Sequence, residues 1–383
     1  MDVERGIRLG HSVLADTRDA VADFHRQVAQ PDMALVLFFC SSRHDLDALA
    51  DEMNRRFPGV PVVGCTSAGE IGVAGYADGS LAGASFPAGE CTAEVGRIDD
   101  LQRFDIDAGH DFAQGLLRRL EARVPAAGPG NSFGLLLIDG LSQREEPVAY
   151  ALQDGLGNIR MIGGSAGDDL RFEQTRIFHD GRFHADSAVL VLVSTRYPFR
   201  VWRSQHFVAD GERLVVTEVD ADRRIVREIN GLPAVEEYAR LVGVSPEQLG
   251  PEHFAAWPVV VMIDGGDFVR SIQHANPDGS LTFYCAIEEG VVLRVARGEG
   301  LLERLEASFG QLRDDLGELQ AVLVCDCVLR NLEAAKAGQK SAVGELFRQH
   351  RALGFSTYGE QFGGVHINHT LTGIAIGREP RDG

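Results

Sequence analysis

The chain has 383 residues, more than one hydrophobic core usually serves, so two domains are expected. Its 37 Lys and Arg stand against 56 Asp and Glu, which gives a formal charge of −19 without any run rich in Lys or Arg. Nucleic acids and anionic membrane surfaces bind to basic faces, so neither is expected as a partner.

Segments that direct a protein to or through a membrane are not apparent. Residues 1–5 are charged and lead into no apolar signal segment. No apolar run approaches the ~18 residues of a membrane span. The six cysteines are sparse for this length, and the spacing of Cys325 and Cys327 is too tight for the usual metal-binding knuckle. We therefore expect a cytoplasmic protein with reduced thiols.

The first predicted unit begins with an apolar strand at 35–40. A helix follows at 46–57, because apolar residues recur there at the spacing of one helix face, with Ser42 as the expected N-cap. A Gly-rich turn at 64–70 comes next, and a second strand at 81–86 closes the unit.

The second unit repeats this order. A strand at 135–138 precedes a helix with apolar residues at 148, 149, 152 and 156 on one face, for which Ser142 and Glu145 form a capping-box pattern. A second Gly-rich turn lies at 163–169, and a strand follows at 188–193.

Short strands separated by turn residues follow the second unit. They are expected at 213–219, 259–263, 280–286 and 291–295. Among them, a turn at 230–233 leads into a small helix at 234–242. We place the domain boundary at this turn, which gives domains at 1–228 and 229–383.

The third unit starts with a strand at 322–325 and has a helical pattern at 332–347, which Gly338 and Gly344 weaken. The third Gly-rich turn is at 354–360, and a last strand is expected at 370–376.

These repeats predict the fold class. The fold is expected to be α/β, with two domains built from duplicated strand–helix–Gly-rich turn–strand units whose helices cover mixed sheets. Units packed about an approximate two-fold axis would bring the two N-terminal turns together at a cleft. The third copy and the strand-rich segment would form the C-terminal domain.

The motifs resemble a known family in the order in which they occur. The turns at 64–70 and 163–168 resemble the paired signatures of the FIST N domain. The segments 230–234, 325–330 and 354–370 resemble the FIST C domain, although His369 stands where the family more often has Gln.

The resemblance implies a sensory, ligand-binding protein of signal transduction. Its two-domain organisation is similar to a subset of FIST proteins that bind haem and respond to nitric oxide. Such proteins regulate a signalling partner such as a histidine kinase. The resemblance therefore implies a non-enzymatic bacterial sensor with a small-molecule ligand or haem b.

The Gly–hydroxyl–Gly–carboxylate turns suggest how a polar ligand is bound. Glycine allows close approach of backbone N–H groups, the hydroxyls donate or accept, and the carboxylates accept from amino or hydroxyl groups. The predicted ligand-binding residues are Thr66, Ser67, Glu70, Ser165, Asp168, Asp169, Ser356, Thr357, Glu360 and Asn368. The alternative is structural: glycine permits packing between units, and Ser or Thr closes a turn.

Two other functions stay open on the residues alone. Cys65, Ser67 and their neighbours could serve a hydrolase or transferase, but a nucleophile needs a base and no His is close to them in sequence. A ligand-free scaffold, in which contacts with a partner matter, is the other alternative.

Haem would need one axial histidine on an apolar wall, and three candidates have apolar neighbours: His179, His206 and His366. No CxxCH pattern occurs, so haem would be held without a covalent bond. In an extended 365–367 segment, His366 shares a face with Asn368, which suits a polar-ligand or structural role first and a haem ligand second.

Overall fold

The computed structural model describes residues 6–263 and 266–379, with the backbone alone for 210 and 211. The chain forms two compact units that do not follow its order. Unit 1 contains 1–204, 306–366 and 371–383, and unit 2 contains 205–305 and 367–370. The third copy of the repeat thus belongs to the same compact unit as the first two. The predicted division into 1–228 and 229–383 stays a prediction about domain boundaries.

The elements of the first copy begin the chain. They are β1 (Arg8–Ser12), α1 (Thr17–Val28), β2 (Met33–Ser41), α2 (Leu46–Arg56), β3 (Val62–Ser67), β4 (Glu70–Gly72), β5 (Gly75–Ala77) and β6 (Leu81–Pro87). The second copy follows with β7 (Cys91–Asp99), α3 (Ile106–Arg123), β8 (Ser132–Ile138), α4 (Glu145–Leu156), β9 (Met161–Ser165), β10 (Ile177–His179), β11 (Arg182–His184) and β12 (Ser187–Thr195).

The chain then supplies one strand of the third copy and passes through unit 2. That strand is β13 (Phe199–Ser204), and unit 2 contains β14 (Phe207–Asp220), β15 (Ile225–Ile229), β16 (Leu232–Pro233), α5 (Ala234–Val242), α6 (Pro251–Ala256), β17 (Val259–Ile263), β18 (Gly266–Arg270), β19 (Ile272–Ala275), β20 (Leu281–Phe283) and β21 (Val292–Gly298). The third copy is completed by α7 (Leu301–Leu316), β22 (Leu319–Cys327), α8 (Val328–Lys336), α9 (Lys340–Gln349), β23 (Ala352–Thr357), β24 (Glu360–Phe362), β25 (Val365–Ile367) and β26 (Leu371–Gly377).

Three six-stranded sheets in unit 1 share one plan. Their orders are β1-β6-β2-β3-β10-β11 in sheet 1, β25-β24-β9-β8-β12-β7 in sheet 2 and β13-β26-β22-β23-β4-β5 in sheet 3. In each sheet the central strand pairs in parallel with the strand that leads into the Gly-rich turn, and antiparallel with the strand that returns after it.

The last two strands of every sheet come from another copy. The hairpin after the first turn, β4–β5, completes sheet 3, the hairpin β10–β11 of the second copy completes sheet 1, and β24–β25 of the third copy completes sheet 2. This closed exchange relates the copies by an approximate three-fold axis. The two-fold relation expected for the N-terminal turns is therefore wrong, because the third copy takes an equal part.

The main core of unit 1 lies between the sheets. Phe39 of sheet 1 stacks on Phe355 of sheet 3 with ring centroids 4.5 Å apart, and both are buried. Helices cover the other faces: α1 and α2 bury Phe24 and Met53 against sheet 1, while α3 and α4 bury leucines against sheet 2. Unit 2 has its own core around Tyr238 and an antiparallel sheet of order β18-β17-β21-β14-β15-β20-β19, with β16 paired to β15.

The predicted fold class is confirmed, since the chain is a mixed α/β protein of duplicated units. The corrections are local. Helix α2 is capped by Asp45, whose carboxylate accepts from the amides of residues 47 and 48, and not by Ser42. The predicted capping box at Ser142 is also wrong: α4 begins at Glu145, and Ser142 Oγ bonds the amide of Arg144. The helical pattern at 332–347 is two helices, because Gly338 has a left-handed φ of 69°.

Candidate functional site

The three Gly-rich turns meet and form a closed cycle of backbone hydrogen bonds, which we call the turn ring (66–70, 165–169 and 356–360). The amide of Ala68 donates to the carbonyl of Ser356 at 3.0 Å. The amide of Gly167 donates to Thr66 and that of Tyr358 to Ser165, both at 3.1 Å. Each turn therefore donates to one neighbour and accepts from the other, from equivalent positions.

The glycine that opens each motif is needed for close approach between strands. A Cβ added at Gly64 would lie 2.5 Å from the carbonyl oxygen of Phe38 on β2. The same atom would lie 2.6 Å from a β8 carbonyl oxygen at Gly163 and 1.7 Å from a β22 carbonyl oxygen at Gly354. Part of the repeated motif is thus required by the parallel strand pair itself.

The first hydroxyl of each turn accepts a hydrogen bond from outside its own turn. Thr66 Oγ1 accepts from the amide of Arg176 at 3.0 Å. Ser165 Oγ accepts from the side-chain amide of Gln361 at 3.1 Å, and Ser356 Oγ accepts from that of Asn331 at 3.0 Å. The hydrogen bonds of Thr66 and Ser165 link two copies, whereas that of Ser356 lies within the third copy.

The carboxyl groups of the first and third turns form a hydrogen bond with a hydroxyl three residues earlier. Ser67 Oγ bonds Glu70, and Thr357 Oγ1 bonds Glu360 at 2.5 Å. Glu70 also accepts from the amide and hydroxyl of Ser80, at 2.8 and 2.6 Å. Burial raises the pKa of Glu70 to about 8, although the hydrogen bonds from Ser67 and Ser80 act to lower it. Glu70 is therefore mostly neutral at pH 7.

The second turn has a longer loop and uses its carboxylates differently. Asp168 accepts from the hydroxyl of Tyr358 and from three successive backbone amides, of residues 172, 173 and 174. Burial alone would raise the pKa of Asp168, but these hydrogen bonds outweigh it and lower the pKa. Asp169 accepts from the hydroxyls of Ser41 and Ser42 at 2.8 and 2.6 Å.

The structure thus brings nine of the ten predicted ligand-binding residues together. Eight of them, all but Asp169, are at most 1% exposed, and every one has a hydrogen-bond partner inside the protein. They are placed as parts of a joint between three sheets. Their role in ligand binding stays a prediction.

The partners Ser80, Asn331, Tyr358 and Gln361 were not predicted. Tyr358 and Gln361 lie within the third motif. Ser80 could have been found from the sequence, because a hydroxyl residue recurs at its position in every copy. The strand registers make Ser80, Ser187 and Thr370 structurally equivalent, and each is a hydroxyl residue at the start of a return strand or one position before it. Asn331 lies on α8 and carries no such signal.

Asn368, the tenth predicted residue, differs from the other nine. It belongs to unit 2 and is 1% exposed, yet neither its Oδ1 nor its Nδ2 has a hydrogen-bond partner among the described residues. Near it in sequence, His369 bonds Ser271 Oγ at 3.1 Å and packs edge-on against Phe207, whose ring also contacts that of His206. All these side chains are buried.

The three candidate haem ligands have different surroundings. His366 is buried, and the side-chain amide of Gln361 donates to its Nδ1 at 3.0 Å. Since Nδ1 accepts, a neutral His366 carries its proton on Nε2, which is not the tautomer that binds iron through Nε2. The ring of His206 packs at a tilt against that of Phe207, with ring centroids 4.2 Å apart, and His179 lies 3.2 Å from the carboxylate of Asp180. Over the described part of the chain, no group of three or more His, Cys, Asp or Glu is arranged to hold a metal ion.

Family comparisons agree with this repeat structure. The family model of the FIST N domain matches residues 34–232, and that of the FIST C domain matches 234–363. The chain belongs to the FIST family, whose domains are associated with sensing in signal transduction.

Comparisons with individual proteins give less information than the family models. A comparison with curated protein sequences gave no match. Among solved structures, cyanuric acid hydrolase from A. caulinodans is similar with a TM-score of 0.37 and 10% sequence identity, over 97% of this chain and 99% of that chain. At this TM-score the likeness supports no conclusion. Within 6–263 and 266–379, no helix is both long and apolar enough to cross a membrane.

Proposed function

We propose that this FIST protein is a non-enzymatic cytoplasmic sensor. It binds a small polar ligand around Asn368 in unit 2, and binding alters its contact with a signalling partner such as a histidine kinase. The observation that carries this proposal is the buried side-chain amide of Asn368, which has no protein partner among the described residues.

An unpaired buried amide is costly. Each unsatisfied buried polar group destabilises a fold by about 1–3 kcal/mol, and an amide can form several hydrogen bonds. A bound polar molecule with both a donor and an acceptor would remove this penalty at Asn368. Ser271 and His369, which form a hydrogen bond with each other, are further buried polar side chains of the same unit.

Comparison among the copies supports this choice. Asn368 is structurally equivalent to Asp78 and Ala185, because the three precede equivalent hydroxyl residues by two positions. Asp78 and Ala185 are both exposed. Burial of a polar side chain at this position is therefore particular to the third copy and is not required by the repeat.

The surroundings of the candidate nucleophiles favour sensing over catalysis. Cys65 and Ser67 are fully buried, and burial raises the pKa of the Cys65 thiol well above its usual range. The hydroxyl of Ser67 lies against Glu70 and the carbonyl of Cys40, the latter at 3.2 Å. A hydrolase reaction at these residues would need the ring to open.

Haem b with nitric oxide sensing is the finer form of the proposal. The histidines involved would be His206, His366 or His179, and the tautomer of His366 makes it the weaker candidate. The absorption spectrum of the purified full-length protein tests this form directly, because bound haem has a Soret band.

A thermal-shift screen of the full-length protein with amino acids and small carboxylic acids tests the polar-ligand proposal. At a ligand concentration of 100 times Kd, binding stabilises the fold by about 2.7 kcal/mol, a clear rise in Tm. Asn368→Leu removes both amide atoms and the cost of leaving them unpaired, so the free energy of unfolding without ligand should rise, while the ligand-induced rise in Tm is lost. Asn158→Leu, at an exposed position, is the control.

An unchanged ligand-induced rise in Tm in Asn368→Leu would contradict the proposed site. Turnover of a substrate that is lost in Ser67→Ala would favour the enzyme alternative. A colourless protein that no small molecule stabilises would favour the scaffold.

A further inference from the structure

A second candidate site lies in unit 1, in a cleft of about 530 Å³ lined by three arginines, Arg8, Arg351 and Arg378. Arg8 comes from β1, Arg351 precedes β23, and Arg378 follows β26. The volume is within the ~300–1,000 Å³ range of small-molecule sites. Three guanidinium groups at one cleft are notable in a chain with a formal charge of −19.

Two of the three guanidinium groups have no carboxylate partner in the described residues. Arg8 donates to the carbonyl of Ala29, and Arg351 Nε donates to the carbonyl of Gln320 at 2.7 Å. Neither arginine has an Asp or Glu oxygen within 4.0 Å in the described part of the chain, whereas Arg378 pairs with Glu318 at 2.9 Å. A guanidinium has five N–H donors, so Arg8 and Arg351 retain donors beyond these hydrogen bonds.

The amide side chains of the cleft already have partners within the protein. Gln320 accepts from the amide of Ile7 at 3.0 Å and donates to the carbonyl of Gly377 at 2.8 Å. Gln27 accepts from the amide of His11 at 3.0 Å and donates to its carbonyl at 3.1 Å. The groups that remain to bind a ligand are therefore cationic.

The fold does not require a cation at 351. The carbonyls of Pro61, Arg160 and Arg351 accept the same inter-strand hydrogen bond in the three copies, so these positions are equivalent. The first copy has proline there and the second has arginine, so the repeat does not fix the residue at this position. Arg351 also has a left-handed φ of 53° just after α9, where glycine would be less strained. The arginine at 351 is therefore held in a strained backbone conformation, and the repeat does not require an arginine there.

We propose that this cleft binds a small, multiply charged anion, a phosphate-bearing or polycarboxylate compound. Arg8 and Arg351 would supply charge-assisted hydrogen bonds, and the forked guanidinium suits two oxygens of one anionic group. The cleft is distinct from the polar pocket proposed at Asn368, and its occupant differs in charge. A protein with two such sites could respond to two different ligands.

Isothermal titration calorimetry of the full-length protein with pyrophosphate and with citrate tests this proposal. We expect binding of at least one probe, with an affinity that falls as salt concentration rises. Arg351→Gln and Arg8→Gln should each weaken binding at least tenfold. Arg160→Gln, at the equivalent position of the second copy, is the matched control and should leave the affinity unchanged.

The pair of probes distinguishes the two chemistries: pyrophosphate alone indicates a phosphate ligand, and citrate alone a carboxylate. If Arg351→Gln folds poorly, Arg351→Lys keeps the charge and should retain part of the affinity. Binding of neither probe, or equal loss in Arg160→Gln and Arg351→Gln, would overturn the proposal. Asn368→Leu should bind the probes normally, so this test is independent of the proposed sensory site.

Discussion

Replacing Glu70 by Gln should remove a large pH dependence from the stability of the protein. In the neutral state, the Glu70 carboxyl can accept from Ser80 with one oxygen and donate to Ser67 with the other, while Ser67 donates to the carbonyl of Cys40. A glutamine side chain has the same shape and can form the same pattern. Glu70→Gln should therefore fold normally and cost little at pH 5.

The pH dependence follows from linkage. The pKa of Glu70 is raised from 4.5 to about 8. Between these values the folded protein keeps a proton that the unfolded chain has lost, so the free energy of unfolding falls as pH rises from 4.5 to 8 and levels off above. Each pKa unit corresponds to 1.36 kcal/mol, so a shift of 3.5 units gives an upper limit of ~5 kcal/mol. In Glu70→Gln the side chain does not titrate, so the free energy of unfolding should not show this fall.

Urea unfolding at pH 5.5 and pH 8.5 measures the effect. The wild-type protein should lose more stability between the two pH values than Glu70→Gln, by about 1–4 kcal/mol. Glu121→Gln, at an exposed position of α3, should follow the wild type. Parallel pH profiles for wild type and Glu70→Gln would refute the reasoning and indicate that Glu70 is ionised in the fold.

Three further predictions concern the turn ring, the parallel strand pair that leads into it and the exchanged hairpins. Tyr358→Phe removes the hydroxyl that bonds Asp168 and should lower the free energy of unfolding by about 1.5–3 kcal/mol at pH 7. The loss should be smaller in acid, because the lowered pKa of Asp168 stabilises the fold only above the pKa that this group has in the unfolded chain. Urea titrations at two pH values check this. Gly354→Ala should disrupt the β22–β23 pair and lower Tm, since its Cβ would lie 1.7 Å from a carbonyl oxygen. The control Gly310→Ala in α7 has open space and should stabilise the fold by up to ~1 kcal/mol, so the changes in Tm of the two variants should have opposite signs. A fragment of residues 1–228 should not unfold cooperatively, because it lacks the hairpin that completes sheet 2 and the sheet that receives β4–β5; a cooperative urea transition would contradict this.

Much of the fold could be predicted because local periodicity decides the long elements. The strand predicted at 35–40 is Met33–Ser41, and the helix predicted at 234–242 has those bounds. The exchange of hairpins could not be predicted. Strands of three residues, such as β4 and β5, carry no periodic signal. They pair with the edge of a sheet from another copy, which forms only when the whole chain folds.

The meeting of the two N-terminal turns could be predicted from the sequence, whereas the part taken by the third turn and the burial of all three could not. The turns meet because each follows the end of a strand in a parallel pair, and three equivalent ends converge about one axis. Their burial depends on residues far along the chain, as when Tyr358 reaches Asp168 over a separation of 190 positions. Similarly, nothing local distinguishes the buried Asn368 from the exposed Asp78 of the first copy.

The polar character of the three turns follows from the joint that they form. The turn residues are buried, so their backbone donors must be satisfied without water. A hydroxyl that bonds a carboxylate three residues later, as Ser67 bonds Glu70, closes a turn on itself and leaves its backbone groups for the neighbouring copy. A duplicated unit repeats such a joint whether or not a ligand binds to it. The recurrence of the motif is therefore evidence for the joint. Ligands should be sought where one copy departs from the others, at Asn368 in the burial of its side chain and at Arg351 in its left-handed backbone.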